Sequence, residues 1–239
     1  MSKRKRLGSY FEQSRDLLNS LLLVLPLLLL YQLGLLWTGG TTQNGVDFLT
    51  TFLVQGWGLN GLLVFNGLLL ISGLVGLRVL KKQRRLNPQI LVPVALESTI
   101  YALLLGSLVL VILRQIPGLL PNPGIATAQA GPSPLDALFI SVGAGVNEEL
   151  VFRLGIYSGL AWLLARGTER KGLALAGALI GSSVLFSLAH YMGSEGFALY
   201  TFAYRFVAGS ILCGLFVLRG FAVAVYTHAI YDVYVLVFV

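Results

Sequence analysis

Seven stretches of about 20 mostly apolar residues follow one another along this chain, and each is long enough to cross a bilayer as a helix. They cover the ranges 17–37, 58–80, 90–114, 135–165, 172–192, 197–218 and 221–239. Only 11% of the 239 residues are charged, against about 25% in soluble domains. The sequence therefore predicts an all-α, polytopic transmembrane helical bundle of about seven spans, with 1–239 forming a single integral membrane domain.

Basic residues cluster in every second connection between the predicted spans. The segments Lys3–Arg6, Lys81–Arg85 and Arg166–Lys171 and the residue Arg219 are basic. The intervening connections carry Asp47, Asp136 and Glu195 and almost no Lys or Arg. Because Lys and Arg are enriched in cytoplasmic loops, we expect a cytoplasmic N-terminus in the plasma membrane or another inner membrane. The same bias explains the net charge of +7 without a nucleic-acid partner, and membrane lipids are the expected surroundings.

A few ionisable side chains lie inside the predicted spans, where burial in lipid is costly and demands a partner or a function. They fall in the C-terminal half and include both histidines: Glu148, Glu149, Arg153, His190, Arg205, His228 and Asp232. Glu97 and Arg114 lie near span ends, where snorkelling to the interface explains them. Because the first three spans hold no paired ionisable groups, we expect them to serve packing, anchoring and substrate entry.

Two glutamates and an arginine occur together in the fourth span. Glu149 and Arg153 are four residues apart, so they can form an ion pair on one face of a helix. Glu148 points about 100° away from Glu149, and a buried carboxylate without that partner is suited to act as a general base on water. The alternative is that all three form one structural charge network.

The two histidines lie in later spans. His228 and Asp232 are four residues apart on one face of the last span, where the aspartate can orient the imidazole, donate a hydrogen bond if protonated, or ligate a metal. A local polar pair that braces the bundle is the alternative. The span limits place His190 about six residues nearer the outer end than Glu148, which is ~10 Å along a helix; tilting of the long fourth span can close that gap.

Together Glu148, His190, His228 and Asp232 suit two kinds of chemistry. They can activate a water molecule and stabilise a developing oxyanion in a membrane cavity, or they can bind a divalent metal such as zinc. The sequence has no H-E-x-x-H and no G-x-S-x-G, which disfavours the usual metalloprotease helix and a serine nucleophile. A single cysteine, Cys213, excludes an internal disulfide and a multi-cysteine metal cluster.

Three motifs follow one another along the C-terminal spans: E-E-x-x-x-R at 148–153, F-x-x-x-H at 186–190 and H-x-x-x-D at 228–232. In these motifs residues 135–239 resemble the catalytic core of the CPBP family, the Abi group of CAAX-processing and bacteriocin-processing intramembrane endopeptidases. Residues 1–134 then supply three additional N-terminal spans and a loop. Any one motif is weak alone, but all three in order on membrane spans are specific.

The resemblance implies an intramembrane endopeptidase with a water-filled cavity. By the motif positions, Glu148 matches the glutamate that activates water, and His190 matches the histidine that assists it. His228 and Asp232 match the pair that stabilises the tetrahedral oxyanion. The expected substrate is a protein or peptide.

The resemblance also gives Glu149 and Arg153 supporting roles beside the catalytic groups. The favoured mechanism of the family is of the glutamate type and requires no cofactor. In a metal-dependent mechanism, the four catalytic candidates would instead be the ligands of a divalent metal such as zinc. Two further functions stay open from the residues: a non-proteolytic membrane scaffold or immunity partner of the same family, and a proton-coupled transporter.

Overall fold

A computed structural model describes residues 9–40, 42, 44–82, 87–119, 132–192 and 196–238. Nine α-helices lie within these residues: α1 (Tyr10–Arg15), α2 (Leu17–Trp37), α3 (Phe48–Lys82), α4 (Leu91–Leu113), α5 (Pro134–Glu149), α6 (Ser158–Gly167), α7 (Lys171–Ala189), α8 (Leu199–Arg219) and α9 (Phe221–Phe238). A π-helix, Leu150–Tyr157, joins α5 to α6, and a 3₁₀ turn, His190–Met192, follows α7. The described residues contain no β-strand, and the all-α prediction is confirmed.

Six helical segments are long and apolar enough to cross a membrane: Leu17–Trp37, Asn60–Val79, Pro88–Leu113, Lys171–Met192, Leu199–Arg219 and Phe221–Phe238. The chain is therefore a polytopic integral membrane protein. The sequence predicts about seven spans, and the difference is the range 135–165. That range is helical throughout, but the π-helix divides it into α5, with 16 residues, and α6, with 10. Neither α-helical part is long enough to cross a bilayer alone, but the whole segment continues from Pro134 to Gly167 and has the length to do so.

The orientation of the chain in the membrane stays a prediction. Of the charges on which it depends, Lys3–Arg6, Arg84, Arg85 and Glu195 lie outside the described residues. The division of the chain near residue 135 into N-terminal spans and a catalytic core also stays a prediction.

Helix α9 is the centre of the bundle and packs against α2, α4, α5 and α8. Its first half is buried from Phe221 to Ala229. The closest approach is to α5 at Gly145, where a Cβ atom would lie 2.8 Å from the backbone nitrogen of Ala229. Only glycine fits this contact without moving one helix. It brings the end of α5, with Glu148 and Glu149, beside His228 of α9.

The α5–π–α6 segment and α7 form an antiparallel hairpin. The turn lies at residues 168–170, and Glu169 at its centre is equally distant in sequence from Glu148 and His190. Since antiparallel helices place residues equidistant from the turn at the same level, the hairpin sets these two side chains side by side.

A partly buried ion pair joins α8 to α4. Arg219 of α8 donates from Nε and Nη2 to the two carboxylate oxygens of Glu97 in α4, over 2.6 and 2.8 Å. Tyr101 donates to the same carboxylate over 2.8 Å, and so does Tyr10 of α1. Burial and the nearby Glu97 carboxylate raise the pKa of the Tyr10 phenol. Glu97 is therefore held by protein partners, which its position near a span end did not predict, and whether it also reaches the interface stays a prediction.

Replacing Arg219 with methionine is expected to lower the free energy of unfolding by about 1.5–3 kcal/mol, because Glu97 loses two charge-assisted hydrogen bonds. The double variant Glu97→Gln/Arg219→Met is expected to recover part of the loss, since it leaves no unpaired carboxylate. Thermal unfolding in detergent measures both. Arg166→Met is the control, because Arg166 is exposed. An unchanged melting temperature in Arg219→Met would show that the pair does not stabilise the fold.

Candidate active site

Glu148, His190, His228 and Asp232 converge between α5, the end of α7 and α9. The Oε2 atom of Glu148 lies 3.8 Å from Nε2 of His190 and 3.9 Å from Nε2 of His228. The Oδ2 atom of Asp232 lies 3.4 Å from the same nitrogen of His228. Glu148 and His228 are buried, while His190 and Asp232 are partly open to the cavities beside them. Four residues from three distant sequence segments thus form a chain of neighbours, from His190 through Glu148 and His228 to Asp232.

The hydrogen bond of His190 defines the proton on its ring. Its Nδ1 atom lies 2.9 Å from the carbonyl oxygen of Phe186, one turn earlier on α7. A carbonyl only accepts hydrogen bonds, so Nδ1 carries the hydrogen and donates it. In the neutral ring the lone pair is then on Nε2, which is the atom that faces Glu148.

His228 is oriented in the same manner by a carboxylate. Its Nδ1 atom lies 2.8 Å from Oε1 of Glu149, and an ionised carboxylate only accepts hydrogen bonds. Nδ1 therefore donates to Glu149, which leaves Nε2 directed toward Asp232 and Glu148. Adjacent residues of one helix thus have different contacts: Glu149 accepts a hydrogen bond from His228, and Oε2 of Glu148 faces Nε2 of both histidines.

Arg153 and Glu149 form the predicted ion pair of residues four apart. Nε of Arg153 lies 3.1 Å from Oε2 of Glu149, and both side chains are 0% exposed. Nη2 of Arg153 also donates to the carbonyl oxygen of Gly209 in α8, over 3.2 Å, and the guanidinium lies 4.4 Å from the ring centre of Phe186. Arg153 belongs to the π-helix, an element that occurs frequently at functional sites. The guanidinium neutralises the buried carboxylate that orients His228.

Two cavities meet at His190. The first, of about 470 Å³, lies between α4, α7, α8 and α9 and is bordered by His190, His228 and Asp232. The second, of about 410 Å³, lies beside the loop after α2 and is bordered by His190, Glu148 and Asn44. Asp232 therefore borders the first cavity, and Glu148 borders the second.

Aromatic and apolar side chains line most of the first cavity. Tyr204 and Tyr231, which both line this cavity, share a hydrogen bond between their hydroxyl groups. Arg205 also lines this cavity, and its guanidinium lies 5.3 Å from the ring centre of Tyr191. Such a lining suits an apolar peptide segment with a few oriented polar contacts.

Sequence reasoning missed one polar contact of the site. Nδ2 of Asn44, in the connection between α2 and α3, donates to Oε1 of Glu148 over 3.0 Å. Asn44 lies between the first two predicted spans, so the expectation that the first three spans pack, anchor and admit substrate stays a prediction. No motif marks Asn44, because an asparagine next to Gly45 is typical of any loop.

Among the residues that the structure describes, no group of three or more His, Cys, Asp or Glu side chains has an arrangement that could hold a metal ion. A divalent metal held by Glu148, His190, His228 and Asp232 stays a prediction.

Comparisons with known proteins agree with the motifs. Residues 130–234 match the family described as "Rce1-like: Type II CAAX prenyl endopeptidase Rce1-like", and this range contains all four convergent side chains. Comparison with curated proteins and with solved structures gives no match. Over residues 130–234 the chain is therefore similar to the Rce1-like family of CAAX prenyl endopeptidases, in agreement with the resemblance of its three motifs.

Proposed function

We propose that this protein is an intramembrane endopeptidase that hydrolyses a peptide bond with a water molecule activated by Glu148 and His190. The observation that carries the proposal is the convergence of a buried carboxylate oxygen with two imidazole nitrogens, at 3.8 and 3.9 Å. These distances are too long for direct hydrogen bonds. An oxygen atom placed to one side of them can contact all three groups, as a water or a substrate carbonyl requires.

In the proposed first step, Glu148 accepts one proton of the water, and the oxygen of the water bonds to the carbonyl carbon of the substrate. The lone pair on Nε2 of His190 accepts a hydrogen bond from the other hydrogen of the same water, which orients the attack. In the second step, protonated Glu148 donates its proton to the leaving nitrogen, and the carbon–nitrogen bond breaks. The new carboxylic acid then loses a proton to His190 or to solvent.

The tetrahedral oxyanion is stabilised by α9. His228 keeps its Nδ1 hydrogen on Glu149 and, as the imidazolium, donates from Nε2 to the oxyanion. Asp232, 3.4 Å from Nε2, supports this role as the counter-ion of the imidazolium or, when protonated, as a second donor. The donors are fixed before the substrate binds, so they require little reorganisation during the reaction.

The two cavities suggest separate routes for the two reactants. The first cavity borders His228 and Asp232 and has an aromatic and apolar lining, which suits the peptide. The second borders Glu148 and Asn44, which suits the entry of water. His190 borders both cavities, in the position that a residue orienting water toward the peptide requires.

The variant His190→Ala tests the proposal. We expect its kcat to fall about 10²- to 10⁴-fold, the contribution of a positioned acid–base group, while its melting temperature stays near that of the wild type. The assay uses purified protein in proteoliposomes, quenched fluorescent peptides with and without a prenylated CAAX-type end, and mass spectrometry of the products. Leu188→Ala, on the lipid-facing side of the same helix, is the control. Undiminished cleavage by His190→Ala would contradict the mechanism.

A second measurement on the same preparation distinguishes the glutamate mechanism from a metal mechanism. We expect the rate of cleavage to be unchanged after treatment with a chelator and removal of the chelator by dialysis. Elemental analysis of the active protein should give far less than one transition metal per chain. Loss of activity with the chelator and its return with zinc would assign the four residues to a metal site instead.

A further inference from the structure

We propose that Asn44 is a positioning residue that holds the Glu148 carboxylate in the orientation its role as a base requires. The inference rests on the proposed function of Glu148 and extends it to a part of the chain outside the matched range 130–234. The contact is direct, since Nδ2 of Asn44 donates to Oε1 of Glu148 over 3.0 Å. Both side chains are buried.

The second hydrogen bond of Asn44 fixes which end of its amide faces the glutamate. Oδ1 of Asn44 accepts a hydrogen bond from the backbone nitrogen of Val46 over 3.0 Å. Because a backbone N–H only donates, the oxygen of the amide is assigned to Val46 and the NH₂ group to Glu148. In the flipped amide, the NH₂ group would face the N–H of Val46, and Oδ1 would face the carboxylate oxygen of Glu148.

This assignment distinguishes the two oxygens of the Glu148 carboxylate. Oε1 accepts from Asn44, whereas Oε2 points toward His190 and His228. One oxygen is therefore anchored, and the other faces the reacting water.

The loop that carries Asn44 is braced against the helix that carries Glu148. The backbone nitrogen of Asn44 donates to the hydroxyl of Tyr31 over 3.0 Å, and that hydroxyl donates to Oδ2 of Asp47 over 2.9 Å. The ring of Tyr31 packs on α5 at Gly143, where a Cβ atom would lie 2.4 Å from it. Helix α5 thus receives Tyr31 at Gly143 and Asn44 at Glu148. The loop is held in register with the carboxylate that it contacts.

Two substitutions at Asn44 separate positioning of Glu148 from support of the loop. Asn44→Asp retains an oxygen that accepts from Val46 but replaces the donor to Glu148 with an acceptor. Asn44→Ala removes both hydrogen bonds. If Asn44 positions Glu148, kcat falls about 10- to 100-fold in Asn44→Ala, the usual effect of a hydrogen bond to a charged group, and at least as far in Asn44→Asp. KM stays within about twofold, because the substrate side of the site is unaltered.

The matched control is Asn66→Ala. Asn66 of α3 donates through Nδ2 to Gln32 of α2 over 3.1 Å, a contact of the same chemistry in the same part of the chain but outside both cavities. We expect it to retain the kcat of the wild type. Wild-type kcat in Asn44→Asp, a loss confined to KM, or an equal loss of kcat in Asn66→Ala would overturn the inference.

A cross-linking experiment tests the contact without relying on activity. In a Cys213→Ala background, which removes the native cysteine, the pair Asn44→Cys and Glu148→Cys is treated with a short bifunctional thiol reagent in membranes. We expect an intramolecular cross-link, seen by mass spectrometry of the digested protein. The pair Asn66→Cys and Glu148→Cys should give none. Cross-linking with no peptidase activity in the wild type would refute the proposed function alone, whereas absence of the cross-link would refute the placement of Asn44.

Discussion

The variant Glu148→Gln is expected to lower kcat for peptide hydrolysis about 10²- to 10⁴-fold, the range found for a positioned general base. Glutamine has nearly the shape of glutamate and keeps an oxygen that can accept from Asn44. It has no lone pair basic enough to take a proton from water. In the proposed mechanism the substitution does not alter the contacts that bind the substrate. KM should therefore change little, and the loss should appear in kcat.

The measurement is steady-state cleavage of a quenched fluorescent peptide in proteoliposomes, with the melting temperature recorded for each variant. Glu169→Gln is the matched control, because it makes the same chemical change at an exposed position in the turn between α6 and α7. It should retain the kcat of the wild type. Cleavage by Glu148→Gln at the wild-type rate would assign Glu148 to structure and would remove the basis of the proposed mechanism.

The fold class follows from the sequence because a bilayer permits few solutions. A chain with successive apolar runs of about 20 residues must satisfy its backbone hydrogen bonds within each run, so helices are required. The candidate site follows from the same physics, since ionisable groups in lipid need partners or functions. Glu149 and Arg153 illustrate this: their spacing predicts an ion pair, and the structure places it at 3.1 Å.

The relative depth of His190 and Glu148 shows where span limits mislead. Apolar limits place the two residues ~10 Å apart along the membrane normal, whereas the structure brings their side chains within 3.8 Å. The apolar limits define a helix only loosely, because α5, the π-helix and α6 continue without interruption from Pro134 to Gly167. The number of residues that separates each side chain from the turn at Glu169 places Glu148 and His190 at the same level. This estimate requires only that the position of the turn is known.

The contacts that the sequence did not predict are those between distant segments. Glu97 and Arg219 are 122 residues apart and Asn44 and Glu148 are 104 apart. No local periodicity encodes such pairs, because helical spacing only relates residues three or four positions apart. They depend on how the helices pack around α9, which in turn depends on close approaches such as that of Gly145 to Ala229.

Replacing Arg153 with methionine is expected to lower the free energy of unfolding by about 3–5 kcal/mol, because Glu149 would be left as a fully buried carboxylate without its cation. The contact with the carbonyl of Gly209 would be lost as well. Arg153→Lys should recover only part of the stability, since a lysine keeps the charge but not the planar group that stacks on Phe186. Unfolding in detergent, followed by intrinsic fluorescence, measures these differences. A wild-type free energy of unfolding in Arg153→Met would contradict the assignment of the pair as a buried ion pair.

The double variant Glu149→Gln/Arg153→Met distinguishes a purely structural charge network from one that also serves the reaction. Without either charge, no unpaired group is buried, so most of the stability should return. Activity should not return, because Nδ1 of His228 would face a neutral amide in place of a carboxylate and the imidazolium would lose a counter-ion that favours it. We expect a well-folded protein with kcat about 10- to 100-fold below the wild type. Full activity in this stable variant would assign the pair to structure alone, leaving Asp232 as the counter-ion of His228.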